Sequence, residues 1–366
     1  MSTEFIGLVS TRAQSEIHRP TGPVVDVAYT RALSRAHEEA GFDRVLIGYQ
    51  SSMPDGFGVA GDVLAHTDRL GVLLAHRPGF VAPTVAARKL ATLDQFSGGR
   101  LAVHTISGGD DAEQRRDGDY LDHDERYHRT DEYLQILKDI WTARGPIDHQ
   151  GAFFRFEGAF SEVRPFSGSH IPIYFGGSSD IAVEIAAKHA DVYALWGEPL
   201  ADAAAHIQKV KAAAARYGRN PGISLSLRPI LAATEDEAWS RAYGILDTIT
   251  EGSPSAASPR QPTNVGSLRL LDAAARGDVH DTRLFTALAR ATGAAGNSTA
   301  LVGTPAQVVD SLLAYIDIGV TTILIRGYDP LSDAEAYGEL IRLTRQRLAD
   351  QLDHDDERSP ATASAR

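Results

Sequence analysis

The chain has 366 residues, of which 43% are hydrophobic and 23% charged, a composition typical of a globular protein with a large core. It contains no cysteine, which excludes disulfide bonds, thiolate metal ligands and a thiol nucleophile. The formal net charge of −12 argues against nucleic acid as the main partner. The N-terminus has no signal pattern and no apolar run reaches the ~18 residues of a membrane span, so we expect a cytoplasmic protein.

Short apolar runs alternate along the chain with longer stretches of helical periodicity. The runs are nearly continuous in apolar residues, as in parallel strands that helices cover on both faces. Eight successive strand–helix units predict a (β/α)8 TIM barrel, with an open, doubly wound α/β sheet as the alternative. The predicted strands are residues 4–10, 44–49, 69–76, 100–107, 171–176, 191–197, 223–233 and 321–328.

Two segments interrupt this alternation. Residues 108–123 are polar and charged, and residues 251–300 begin rich in Ser and Pro and end in small residues. Long insertions of this kind are usually functional lids or disordered. We expect residues 1–349 to form one barrel domain containing both insertions, and residues 350–366 to be a disordered tail.

The stretch PIYFGGSSD (172–180) ends a predicted strand in two glycines and two serines, directly before a helical pattern. The loops after barrel strands build active sites, often with a phosphate site at a helix N-terminus. Gly176 and Gly177 allow close approach of the backbone, and Ser178 and Ser179 offer hydroxyl and amide donors. The alternative is an ordinary turn in which a serine caps the helix.

Polar and aromatic residues follow other predicted strands as well, at residues 76–78, 104–107, 196–198 and 326–328. Each of them can be structural when considered alone. In a barrel they converge on one mouth, giving a concave site with apolar walls and a few polar groups. A phosphorylated planar ring system suits such a site.

The run from APTVAARKLATLDQFSGGRLAVHTISGGDD to ERYHRTDEYL resembles the bacterial luciferase-like flavin monooxygenases. The segments IPIYFGGSSDIAVEIAAKHADVYALWGEP and TALVGTPAQVVDSLLAYIDIGVTTILIRGYDPL continue the resemblance, which covers most of residues 4–348. The segment IPIYFGGSSDIAVEIAAKHADVYALWGEP is most similar to the two-component alkanesulfonate monooxygenase branch.

This resemblance implies a barrel enzyme that uses reduced FMN (FMNH2) and O2 as co-substrate. A separate NAD(P)H-dependent flavin reductase would supply the reduced flavin. In the alkanesulfonate branch the carbon–sulfur bond of an organosulfonate is cleaved to give sulfite and an aldehyde. We also expect a homo-oligomer, either a dimer or a tetramer.

The resemblance also implies which residues contact the cofactor. His104 and Ser107 match positions that contact the isoalloxazine ring, although the family commonly has Asn where this chain has His104. The phosphate contacts are expected from Tyr127, Gly176, Gly177, Ser178 and Ser179.

At the substrate end, Arg228 aligns with an active-site histidine of the branch, and Ser226 with the branch's arginine. The basic group has therefore moved two residues along the same face of a strand. Tyr328 matches the branch's tyrosine and is a candidate proton donor, while Trp196 would form a wall beside the anion.

Two further residues are candidates for this end of the site. His76 would hydrogen-bond to a polar substrate. Arg290, in the second insertion, is either a lid arginine or an exposed charge at a helix end.

This chain differs from the alkanesulfonate branch at positions near the expected substrate. Pro330 replaces a histidine and Met53 lies near the position of a cysteine, which suggests a substrate other than a straight-chain alkanesulfonate. A sulfonated sugar such as sulfoquinovose and a small sulfone such as dimethyl sulfone are both consistent with these changes. The competing functions are a deazaflavin-dependent oxidoreductase of the same fold and a non-catalytic flavin-binding protein.

Overall fold

The computed structural model describes residues 3–252 and 262–358, with side chains up to residue 353. Within these residues, every helix is too short or too polar to cross a membrane. The strands are β1 (Glu4–Val9), β2 (Arg44–Ile47), β3 (Gly71–His76), β4 (Leu101–Thr105), β5 (Ile147–Gln150), β6 (Arg155–Ala159), β7 (Ile173–Gly176), β8 (Val192–Trp196), β9 (Gly222–Leu231), β10 (Val279–His280), β11 (Leu284–Phe285), β12 (Ala300–Gly303) and β13 (Thr322–Ile325).

The helices lie mainly between these strands and cover the outside of the sheet. They are α1 (Val27–Glu39), α2 (Gly56–Ala65), α3 (Pro83–Phe96), α4 (Asp111–Arg116), α5 (His123–Thr142), α6 (Asp180–His189), α7 (Leu200–Ala215), α8 (Glu235–Gly252), α9 (Val265–Arg276), α10 (Ala287–Ala291), α11 (Pro305–Asp317) and α12 (Pro330–Arg358).

Eight parallel strands close into a barrel in the order β1, β2, β3, β4, β7, β8, β9 and β13, and β13 pairs with β1. Each of the eight predicted strands contributes one barrel strand, so the TIM-barrel prediction is confirmed. The doubly wound alternative is wrong, because the β8–β9 and β13–β1 pairings leave no sheet edge at these strands.

The barrel interior is filled by side chains from the strands alone. Ile6, Leu73, Ala102 and Tyr174 form this inner cluster, whereas the larger core lies between the strands and the helices. Successive side chains of a strand face opposite sides, so residues in phase with the inner cluster point inward. By this alternation His104, Gly176 and Trp196 face the barrel axis, at the carboxyl-terminal side of the inner cluster.

The long strand β9 belongs to two sheets, which the sequence did not predict. Its first half pairs with β8 and β13 in the barrel, and its second half pairs with β12. Strand β12 continues antiparallel into β11 and β10. Residues 262–300 are therefore folded as α9, this small extension and α10, while residues 253–261 lie outside the described part of the chain.

The last helix corrects the prediction for the C-terminus. Helix α12 packs against α1 and α11 and continues through Arg358. The charged residues after position 350 therefore extend a helix that tertiary contacts have already nucleated. The predicted tail residues 359–366 lie outside the described part of the chain.

Candidate active site

The loop after β7 brings the backbone unusually close to a tyrosine hydroxyl. Gly177 has φ of +139°, and a Cβ there would lie 2.8 Å from both Tyr127 Oη and Ala182 Cβ. Any other residue would be strained and would also clash. The glycine thus allows the start of α6 to approach the hydroxyl of Tyr127, as the phosphate prediction requires.

The N-terminus of α6 borders an open cavity. Ser179 is the N-cap residue and accepts a hydrogen bond from the Ala182 amide at 3.4 Å, as the capping interpretation stated. The same serine lines a cavity of about 540 Å³, so capping and exposure to an anion coexist here. The polar residues around this cavity are Ser178, Ser179, Asp180, His206, Lys209 and Arg269.

Three of these lining residues were not identified from the sequence. His206 and Lys209 come from α7, and Arg269 from α9. Each basic chain has a carboxylate partner: Lys209 Nζ lies 2.6 Å from Asp180, and Arg269 Nε donates to Glu198 at 2.7 Å. No local pattern in the sequence distinguishes these side chains from surface charges, because only packing places them here.

Tyr127 lies beside Gly177 and Ser179, the residues predicted to contact the phosphate. Its side chain is buried, and burial raises the pKa of its hydroxyl while a hydrogen bond with Ser179 opposes that change. The ring contacts those of His123 and Phe175, with centroid separations of 4.9 and 6.3 Å. His123 stands four residues before Tyr127 on α5, the spacing at which side chains of one helix meet.

His104 supplies an unsatisfied polar atom inside the mouth. Its Nδ1 is buried and has no hydrogen-bond partner among the described residues, and its Cε1 is 3.4 Å from where a Cβ of Gly176 would lie. Burial lowers the pKa of the imidazole to about 4, so the ring is neutral at pH 7. A neutral imidazole can donate or accept one hydrogen bond at the edge of a heteroaromatic ring.

Two predicted contacts face away from the mouth. His76 Nε2 pairs with Tyr133 Oη at 2.7 Å, and Ser107 Oγ pairs with Thr130 Oγ1 at 3.0 Å, both toward α5. His76 lies out of phase with Leu73, which faces the barrel interior, and so it packs against the helices. The predicted roles of His76 at the substrate and of Ser107 at the ring are contradicted by these positions.

Arg77, next to His76, is the residue in phase with the interior and was missed. It is buried, lies 2.7 Å from Glu113, and stacks 4.4 Å from the ring centre of Tyr49. Glu113 belongs to α4, so this arginine fastens the 108–123 insertion to the ends of the strands. Every residue of β3 is buried, so the sequence does not show which of His76 and Arg77 faces inward.

Arg228 lies in a buried cluster at the opposite rim, between β9, β13 and the loop after β1. Its Nη1 is 2.8 Å from Glu16, its Nη2 donates to the Gly327 carbonyl at 3.0 Å, and its guanidinium lies 3.4 Å from the Tyr328 ring centre. Arg326 Nη2 contacts the same Glu16 oxygen at 2.7 Å. Two arginines therefore share one carboxylate.

Glu16 is held ionised between two arginines, and the neighbouring Arg241 pairs with Asp329 and Asp333. Burial tends to raise the pKa of Glu16, but Arg228 and Arg326 outweigh it and bring the pKa to about 2. Burial raises the pKa of Tyr328 to about 12, so its hydroxyl keeps its proton at pH 7. The Nε atoms of Arg228 and Arg326 are buried without a hydrogen-bond partner among the described residues, as are both amide atoms of Asn297.

Trp196 lies at the mouth of the barrel, whereas Arg290 is engaged in contacts at a helix end. Trp196 faces the mouth, and a Cβ on Gly266 would lie 3.1 Å from its ring, so the first turn of α9 covers it. Arg290 donates to the Ala274 carbonyl at 3.0 Å and pairs with Asp278, with its side chain 55% exposed. The structure therefore supports the helix-end charge and contradicts the lid arginine.

The two insertions meet across the mouth. A Cβ on Gly109, in the 108–123 insertion, would lie 3.3 Å from Asn264 Cβ, just before α9. With Trp196 beneath α9, this contact narrows access to the barrel axis. A charged reaction centre below it would be shielded from bulk water.

The eight parallel strands, with polar side chains gathered at their carboxyl ends, define a (β/α)8 barrel of the kind whose active sites lie at that face. The chain belongs to the luciferase-like monooxygenase family, whose model matches residues 3–322. This confirms the family resemblance and makes the protein a member of a family of flavin-dependent monooxygenases.

Solved structures share the fold at low sequence identity. A riboflavin lyase, solved with modified FMN and riboflavin, is 18% identical with a TM-score of 0.79, covering 95% of this chain and 92% of its own. The EDTA monooxygenase of Chelativorans sp. BNC1 is 17% identical with a TM-score of 0.76, covering 95% and 94%. An F420-dependent secondary alcohol dehydrogenase is 16% identical with a TM-score of 0.69, covering 94% and 99%.

Proposed function

We propose that this protein is the oxygenase of a two-component system that uses reduced FMN and O2 to cleave the carbon–sulfur bond of an organosulfonate. The products would be sulfite and an aldehyde or other carbonyl compound. The observation that carries the proposal is the rim cluster, where Arg228 and Arg326 face a single carboxylate, Glu16. A sulfonate is a permanent anion, and it needs cationic donors inside a site that excludes water.

The residues present fit FMN. The phosphate would bind at Gly177, Ser178 and Ser179, at the positive end of α6 and within reach of the Tyr127 hydroxyl. The unpartnered Nδ1 of His104 provides a polar contact for the isoalloxazine ring. When bound, reduced FMN supplies the electrons that activate O2.

The chain's own residues then position the substrate and handle a proton. Arg228 and Arg326 would hold the sulfonate oxygens through the N–H groups that Glu16 does not use. Tyr328 Oη, protonated at pH 7 and beside Arg228, would donate a proton to the oxygen of the departing group. Trp196 and the first turn of α9 would exclude water from this step.

The proposal includes an NAD(P)H-dependent flavin reductase as partner, which would supply the reduced flavin. It places the enzyme in the cytoplasm, where NAD(P)H is supplied, as a homodimer or homotetramer. Among sulfonates, the departures at Met53 and Pro330 favour a polar substrate such as sulfoquinovose over a straight-chain alkanesulfonate.

Two other functions are weighed against this one. Dimethyl sulfone is neutral and would form no ion pair with Arg228 or Arg326, which makes it the weaker candidate. A deazaflavin-dependent oxidoreductase is favoured by one observation, the F420-dependent dehydrogenase of the same fold. That reading requires hydride transfer without O2.

The test is sulfite release from a panel of alkanesulfonates, sulfoquinovose and dimethyl sulfone, with a flavin reductase, FMN and NADH. We expect sulfite in proportion to substrate only when reduced FMN, O2 and a sulfonate are all present. If dimethyl sulfone is the only compound of the panel that is oxidised, the substrate is a sulfone and not a sulfonate. Substrate turnover under anaerobic conditions with reduced deazaflavin would show that the monooxygenase reaction is wrong.

A further inference from the structure

The cavity at the start of α6 is bordered by a helix of the second insertion. Val265 and Arg269, one turn apart on α9, line it together with Ser178 and Ser179. The remaining polar walls are Asp180, at the start of α6 and paired with Lys209, and His206 and Lys209 of α7. The phosphate cup is therefore completed by a segment that is not part of the basic barrel.

Arg269 is held at this cavity by a buried carboxylate. Its Nε donates to Glu198 Oε1 at 2.7 Å, and its Nη2 donates to Glu198 Oε2. Glu198 is 5% exposed, and its backbone carbonyl accepts a 2.6 Å hydrogen bond from Tyr315 Oη. A guanidinium has five N–H donors, so this side-on pairing leaves others for a second anion in the cavity.

The same helix covers the mouth of the barrel. Gly266, three residues before Arg269 on one face of α9, contacts Trp196, and Asn264 contacts the first insertion at Gly109. A ligand bond to Arg269 would therefore hold the helix that covers Trp196.

We propose that Arg269 is a ligand of the cofactor's phosphate, so that phosphate binding and the placement of α9 over the active site stabilise each other. This inference rests on the proposed function only in needing a phosphate-bearing flavin or deazaflavin. The isoalloxazine ring alone, as in riboflavin, would not provide the contact. Helix α9 would thus be fixed by the complete cofactor and not by the ring.

The experiment compares FMN and riboflavin binding, followed by flavin fluorescence, with hydrogen–deuterium exchange of the α9 amides. In the wild type, FMN should bind more tightly than riboflavin, and only FMN should slow exchange in residues 265–276. Arg269→Gln should weaken FMN at least tenfold, because a hydrogen bond to a charged group is lost, and should leave riboflavin unchanged. In the same variant, FMN should no longer slow hydrogen–deuterium exchange of the α9 amides.

Two controls separate the phosphate contact from other effects. Arg276→Gln removes an arginine of the same helix that pairs with Asp202 on the surface, and it should behave as the wild type. Arg269→Gln leaves Glu198 buried without its partner, so the double variant Glu198→Gln/Arg269→Gln is required. Restored FMN affinity in the double variant would overturn the proposal, because Arg269 would then act only by neutralising Glu198.

The remaining outcomes distinguish this inference from the proposed function. If Arg269→Gln lowers the affinities for FMN and riboflavin equally, or changes neither affinity, the inference is wrong, while the proposal that the protein binds FMN stands. If the wild type fails to discriminate FMN from riboflavin, the phosphate cup and this inference are both wrong. If F420 binds, FMN does not, and F420 affinity depends on Arg269, the inference holds and the FMN assignment is overturned.

Discussion

The two ends of the active site are built in different ways. The proposed phosphate cup consists of a glycine turn, two serines and the amides of a helix start, beside an open cavity of about 540 Å³. The rim cluster consists of charged side chains, with Arg228 1% exposed and already paired with Glu16. The cup is thus preformed and open, whereas in the rim cluster two arginines already share one carboxylate.

This difference affects how each end tolerates change. Backbone amides and hydroxyls remain hydrogen-bonded or solvated without a ligand, so altering Ser178 should change affinity more than stability. Buried charges depend on one another, so removing one leaves the others uncompensated. Mutations in the rim cluster should therefore change stability and substrate handling together.

Removing Arg228 tests the interdependence of the rim cluster most strongly. Arg228→Ala should lower the free energy of unfolding by about 3–5 kcal/mol, because a buried ion pair loses one partner. It should also abolish turnover, while FMN affinity stays within about threefold of the wild type. Denaturant unfolding and flavin titration measure these effects. The exposed Arg216, paired with Glu184, provides the control Arg216→Ala, which should change stability by less than about 0.5 kcal/mol.

Tyr328→Phe separates chemistry from packing within the rim cluster. The ring that contacts Arg228 is retained and the hydroxyl is lost, so we expect turnover to fall ~10²–10⁴-fold with flavin binding intact. The control is Tyr337→Phe, which removes a buried hydroxyl that donates to the Pro229 carbonyl at 2.7 Å. That variant should lose stability and keep its turnover per folded molecule. Loss of less than about threefold in Tyr328→Phe would indicate packing alone.

Glu16 should make the stability of the rim cluster depend on pH. Its folded-state pKa of about 2 lies below the ordinary 4.5, so the stabilisation is complete above pH ~5 and is lost as pH falls toward 2. The loss amounts to about 3 kcal/mol by linkage. Glu16→Gln should remove this part of the acid dependence in unfolding experiments at several pH values. The exposed Glu157→Gln serves as control, and an unchanged profile in Glu16→Gln would refute the assignment.

Ser178→Asp tests the cup with the smallest expected effect. A carboxylate beside the phosphate should weaken FMN about tenfold, or ~1.4 kcal/mol, without lowering the melting temperature. Riboflavin affinity should not change. Ser178→Asn, similar in size and uncharged, is the matched control. Equal losses for FMN and riboflavin would place the phosphate elsewhere.

The barrel and the cup were predictable because both depend on neighbours in sequence. Parallel strands buried on both faces are marked by continuous apolar runs, and all eight were found in this way. The cup lies within residues 176–179, where glycine and serine report the turn and the helix start directly. Family resemblance then added Tyr127, whose hydroxyl does lie beside Gly177.

The sequence did not show which side chains at the end of strand β3 face the barrel interior. His76 and Arg77 are adjacent, and a shift of one residue exchanges the inward and outward faces of a strand. The apolar run of β3 is continuous, so it carries no alternation from which to read the phase. Only the closed barrel shows that Arg77 faces inward and that His76 pairs with Tyr133.

The sequence alone therefore determined the barrel, the glycine–serine turn and the family. The tertiary structure decided which charges meet: Glu16 and Arg326 are 310 positions apart in the chain, and Arg269 reaches the cup from an insertion. Such pairings leave no periodic or local signal, because a charged residue has the same pattern on a solvated surface and in a buried pair. Burial and the partner across the fold give each of these side chains its role.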